Sequence, residues 1–145
     1  MRIIIQSPAA GEDESVVISV KNITERINRA VNILKSPDDL TVYENSHAAL
    51  LLPVAAVLYV ESVDLKTFVY AEKAVYRSHL KLYEVEEILN ASDFLRVSKQ
   101  LIVNVKKIRS IAPAENGRFV AKLTNGESVT ISRQYVPLLK ARFGL

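Results

Sequence analysis

The chain has 145 residues, 49% of them hydrophobic, with a formal charge of +3 and neither cysteine nor tryptophan. That length holds one full domain, or a domain with a small extension, and so apolar a composition argues against disorder. The missing cysteine excludes disulfides and thiolate metal sites, and no apolar run nears the roughly 18 residues of a membrane span. The apolar start is too short for a signal peptide, and a cytoplasmic protein is expected.

Arg2 to Gln6 and Ser15 to Val20 are short apolar runs separated by a Pro/Gly/acid-rich turn, which predicts a small β hairpin. Asn22 offers a helix N-cap, with Glu25 three residues on to complete it. Ile23, Ile27, Ala30, Val31 and Leu34 then fall on one face of an amphipathic helix that Pro37 stops, and packing on the hairpin or a dimer interface are both open to it. A boundary follows, so that residues 1–38 form an N-terminal extension and 39–145 the main domain. From Leu40 the pattern is a meander of short strands: Thr41 to Asn45 and Ala49 to Leu52 about a turn at Ser46 and His47, Val57 to Ser62 and Thr67 to Ala71 about Val63 to Lys66, then Ala74 to Ser78. Leu80, Leu82, Val85, Ile88 and Leu89 predict an inserted helix ending at Asn90, its acids facing water.

Asp93 to Ile111 is rich in Val, Ile, Leu and Phe and carries five cations, Arg96, Lys99, Lys106, Lys107 and Arg109, with no acid after Asp93 until Glu115. It is either a solvated β edge guarded by charge or a binding edge. Beyond it, Asn116-Gly117 and Asn125-Gly126 mark tight hairpins around Arg118 to Leu123, in which Phe119, Ala121 and Leu123 share one side. Ser128 to Ile131 is the last strand, and Arg133 to Phe143 predicts a short helix with Pro137 in its first turn. The fold class is α+β, mostly β: a short N-terminal hairpin and helix, then about ten short strands with one inserted helix and a short C-terminal one.

Charge is segregated along this chain. Residues 1–93 hold nine Lys/Arg against fourteen Asp/Glu, a net of −5, whereas residues 94–145 hold ten against two, a net of +8. A basic final third is the footprint of a polyanion binder, because each cation that meets a phosphate releases condensed counterions. Catalytic chemistry is thin by contrast. His47 and His79 have no metal-ligand spacing, no nucleophile elbow or phosphate loop occurs, and the adjacent Glu86 and Glu87 diverge on a helix. An enzyme, a metal site and a cofactor are not expected.

The segments Leu58-Tyr59-Val60-Glu61-Ser62, Leu82-Tyr83-Glu84-Val85-Glu86, Phe94 to Asn104, Ile108 to Ile111, Asn125-Gly126 and Ile131 to Tyr135 resemble, in order and spacing along residues 41–145, a LytTR-type DNA-binding domain. The combination F-x-R-x-x-K-x-x-x-V-N with a terminal S-R-x-Y is the specific part. The whole chain resembles small stand-alone LytTR regulators of Gram-positive bacteria, which lack a receiver domain.

The resemblance implies an elongated domain whose loops, not a recognition helix, enter successive major grooves of double-stranded promoter DNA. It implies three base-reading loops: Asp64 to Thr67 with Lys66 or Thr67, Ser98 to Gln100 with Lys99 foremost, and Ser132 to Gln134 with Arg133 foremost. Lysine and arginine suit guanine O6 and N7, and Ser98, Gln100, Ser132, Gln134 and Tyr135 suit phosphate. Arg96 either contacts phosphate or turns inward to Glu86 or Glu87 to orient the loop. Asn104 is expected to bond local backbone, and Lys106 and Lys107 either touch phosphate or end a solvated strand. A homodimer on two half-sites is expected, the resemblance implies a membrane-protein antagonist, and no small-molecule ligand is evident. A protein-interaction module is the alternative from another class; an RNA binder ranks lower because the basic segment offers only Phe94 for stacking.

Overall fold

The computed structural model describes residues 1–35, 37–45, 48–89 and 93–145, the side chain of Asn32 apart. Helix α1 spans Glu25–Lys35. Ten strands follow: β1 Asp39–Tyr43, β2 Ala49–Pro53, β3 Val57–Val63, β4 Lys66–Ala71, β5 Val75–Ser78, β6 Phe94–Ser98, β7 Leu101–Asn104, β8 Ile108–Pro113, β9 Phe119–Leu123 and β10 Ser128–Ile131. Helix α2, Leu82–Leu89, lies between β5 and β6, and α3, Val136–Arg142, ends the chain. The expected turn at Ser46 and His47 and the helix end at Asn90 lie outside the described residues.

Two antiparallel sheets result, a seven-stranded one in the order β2-β1-β5-β4-β3-β7-β6 and a three-stranded one in the order β10-β9-β8. Strands β3 and β7 explain how they are joined. Both are buried on two faces, so their sequences lack the polar alternation of a half-exposed strand. Val60 and Ile102 point to one side, where Val42, Val69, Phe94 and the Leu82, Val85 and Leu89 stripe of α2 complete a core. Tyr59, Leu101 and Val103 point to the other, where Val97, Ala121, Leu123, Ile131 and Leu139 of the second sheet and α3 close over them. Asn104 ends β7 at 3% exposure, and its side chain is satisfied by donating to Val57 O (2.8 Å) and accepting from Lys106 N (3.1 Å).

The hairpin expected over Arg2 to Val20 is absent: residues 1–24 contain no strand, and Ile3, Ile4, Ile5, Val16 and Val17 are exposed. A two-stranded ribbon with no third strand or helix to pack on is marginal in water. The stripe of α1 accordingly has no hairpin beneath it: Ile23 and Leu34 are exposed, and Ile27, Ala30 and Val31 are only half-buried. The cap also moves. Thr24 Oγ1 accepts from Ile27 N (3.3 Å), so the helix starts two residues later than Asn22 would have it.

Candidate nucleic-acid interface

Three turns meet at one end of the larger sheet. Asp64 and Leu65 alone join β3 to β4, Lys99 and Gln100 join β6 to β7, and Ser132 to Gln134 lead from β10 into α3. Ser62 N donates to Gln100 O and Ser132 N donates to Val97 O, each at 2.8 Å, so the first and third turns are both stitched by backbone to the second. Val97 is available for this because the β6–β7 register slips between Arg96 and Ser98. Such a bulge frees one residue from the ladder and bends the strand. The residue's side chain is fully buried in the second core while its carbonyl holds the third turn.

Arg96 settles inward. Its guanidinium donates to Glu86 Oε2 on α2 (3.2 Å), to Ser98 O (2.7 Å) and to Lys99 O. One planar fork therefore spans a carboxylate and two carbonyls, a geometry that a lysine ammonium does not reproduce. Contrary to the expected solvated acids of α2, Glu86 is committed to this contact, and Glu84 Oε1 accepts from Lys81 N (3.1 Å) at the helix start. Ser98 Oγ accepts from Gln100 N (3.2 Å), so its hydroxyl shapes the turn. The outcome is a rigid β6–β7 turn from which Lys99 projects into solvent.

Arg133 lies exposed beside it, and Lys99, Gln100, Ser132, Arg133 and Gln134 line a shallow cleft of about 270 Å³. The stem of Arg133 crosses the β8–β9 hairpin at Gly117. That glycine has φ 74, and a Cβ there would stand 2.9 Å from Arg133 Cδ and 3.1 Å from Cγ. Asn116, at φ 59, completes the two left-handed positions of the turn. Tyr135 is half-buried, its ring packed on the second core.

Lys66 is exposed at the start of β4, but Thr67 is not a surface residue. It is 4% exposed, in register between Ser62 and Ser78, and alternation along the strand turns it inward as soon as Lys66 turns out. Among the described residues Lys66, Lys99 and Arg133 have no ion pair. Lys106 and Lys107 stand past the far end of β7, roughly 15 Å along the strand from Lys99, and Lys106 is bound to Asp93 (3.1 Å).

Two tyrosines stand beside acids of the sheets that carry these turns. Tyr59 Oη donates to Glu127 Oε2 (2.7 Å), and Tyr70, stacked on Tyr59 with centroids 4.2 Å apart, lies in the field of Glu61. Burial first, and then these carboxylates, push both phenols above their ordinary pKa, so they remain donors. Neither tyrosine's role was visible from sequence spacing, since Tyr59 and Glu127 stand 68 residues apart. No group of three or more metal-ligating side chains exists among the described residues, and His79 stacks on Tyr43 at 3.7 Å.

Comparison with known proteins adds to this geometry. The family model of the LytTr DNA-binding domain matches residues 47–144. A sensory transduction protein LytT of Enterococcus faecalis is 26% identical over 138 residues, covering 92% of this chain and 57% of that protein. A transcriptional regulatory protein YpdB of Escherichia coli is 26% identical over 108 residues, covering 74% of this chain and 44% of that protein. The chain thus spans about half the length of these relatives. Among solved structures, the LytTr DNA-binding domain of a methyl-accepting/DNA response regulator from Bacillus cereus superposes with a TM-score of 0.70 at 29% identity, over 76% of this chain and all of that one.

Proposed function

The chain belongs to the LytTR DNA-binding domain family, and from that premise we propose that it is a sequence-specific regulator of transcription that reads double-stranded DNA with turns laid into successive major grooves. The observation that carries this reading is the convergence of three turns at one sheet end, two of them stitched to the third, each presenting an unpaired cation: Lys66, Lys99 and Arg133. Arg133 donates to guanine O6 and N7 as a bidentate pair, and Lys99 donates to the same acceptors. Gln100 and Gln134, exposed beside them, bond phosphate and fix the register. Thr67 serves the core, while Arg96 and Ser98 hold the turn. The Lys106 and Lys107 end takes no part in base reading.

Two copies bind two half-sites separated by about a helical turn of DNA, paired through the exposed apolar residues of 1–35. A protein-interaction role draws on the same apolar residues, and the membrane-protein partner that the resemblance implies belongs to that second reading. Fluorescence anisotropy on a duplex selected by the protein from a random pool, with a scrambled duplex and a matched single-stranded RNA as competitors, tests the primary one. Preference for the selected duplex of at least tenfold over both is expected; equal competition by all three overturns it.

A further inference from the structure

We propose that Leu65 is a base-contacting residue that reads a thymine through its 5-methyl group. This rests on the DNA-binding reading above and adds to it an apolar contact. Strands β3 and β4 are joined by Asp64 and Leu65 only, with φ 51 and 64. A two-residue turn with both φ values positive suits asparagine and glycine, because in this region the Cβ of any other residue crowds the neighbouring carbonyl. Aspartate tolerates that conformation through its short polar side chain. A leucine there is an outlier.

Leu65 is also 98% exposed, more than any other large hydrophobic residue described. Neither the strain nor the exposure serves folding, and glycine at this position would remove both. Strained residues of this kind persist where the side chain is needed for contact. Position identifies the contact. The hydrogen bond from Ser62 N to Gln100 O sets the base of this hairpin against the turn that bears Lys99, and Lys66 follows Leu65 directly. Leu65 and the 40%-exposed Val63 behind it, flanked by the charged Asp64 and Lys66, form too small an apolar surface for a protein partner or a lipid, which call for a contiguous patch. In the major groove the one apolar group on a base edge is the thymine methyl, so a leucine entering there beside two cations discriminates thymine from the other bases.

Leu65→Gly and Leu65→Asn are compared with the wild type on the duplex that the wild type selects from a random pool. Each variant should melt a few degrees higher, since the turn relaxes, and yet bind that duplex more weakly. Replacing single thymines of the duplex by uracil removes only the methyl. At one position this should weaken wild-type binding by roughly fourfold, the value of one buried methyl group, and leave the Leu65→Gly complex unchanged. If the wild type selects a site and both variants bind it as tightly, or if uracil affects all three proteins equally, the leucine contact is overturned alone. A wild type that selects no sequence overturns this contact and the regulator reading together.

Discussion

In the proposed reading, Arg96 carries packing into recognition by holding the turn that bears Lys99. Replacing it by alanine removes three donors from Glu86 Oε2, Ser98 O and Lys99 O, so the turn bearing Lys99 loosens. Arg96→Ala is expected to lower selected-site affinity about as much as Lys99→Ala, and the double variant should lose little more, because both act through one contact. Arg96→Lys should not restore binding, since it replaces the fork by a point donor. Titrating the four proteins on one duplex checks this, and full additivity would detach Arg96 from the turn. Gly117 and Gly126 provide a second comparison at this scale. Both have positive φ, 74 and 90, but a Cβ at Gly126 meets nothing within 4 Å, whereas at Gly117 it meets the Arg133 stem. Alanine should therefore destabilise the protein by about 1 kcal/mol or more at either site, while only Gly117→Ala weakens DNA binding, and that loss should vanish in an Arg133→Ala background.

Among the elements, the link between the two sheets is the most informative. Tyr59 on β3 donates to Glu127 beside β10, so one hydrogen bond spans from the sheet carrying Lys99 to the sheet that leads into Arg133. Because the folded state raises the Tyr59 pKa above the unfolded phenol's 10.0, its contribution is complete below that value and is lost as pH rises beyond it. Tyr59→Phe should cost about 1 kcal/mol at pH 7 and flatten the fall in melting temperature between roughly pH 10 and 11.5. Equal slopes for the two proteins would show that the phenol does not carry it. Most elements of residues 39–145 were legible in the sequence, because turn residues and apolar runs are local signals: β9 alternates as Phe119, Ala121 and Leu123 require, and Asn116-Gly117 marks its turn. The failures have a common cause. A β run is recognised by composition, but whether it pairs depends on a third element, which Arg2 to Val20 lack. Thr67 was drawn to the surface by its place in a loop whose true turn is only Asp64-Leu65, and the joining of the three turns depends on a bulge and two hydrogen bonds between distant residues that no spacing announces.

At the scale of the molecule, residues 1–35 and the remainder differ in kind. None of the described side chains of residues 1–35 is buried, whereas two cores fill the rest. A chain lacking residues 1–36 should accordingly melt within about 2 °C of the full protein, given that surface changes are nearly neutral, and sediment as a monomer where the full chain sediments as a dimer. A folded but dimeric truncation would place the dimer interface elsewhere. The charge distribution adds a further expectation. With +8 concentrated in residues 94–145, the logarithm of the binding constant should fall with the logarithm of salt concentration at a slope steeper than about −3. In the proposed reading, Lys99 and Arg133 read bases from a rigid joined pair of turns. Its most direct measurement is the ratio of affinities for a selected and a scrambled duplex, taken at one salt concentration for the wild type, Lys99→Ala and Arg133→Ala. Each substitution should reduce that ratio by roughly tenfold or more, as losing a contact to a guanine edge predicts, with only a small change in scrambled-duplex affinity. Ratios that stay at the wild-type value in both variants would contradict it.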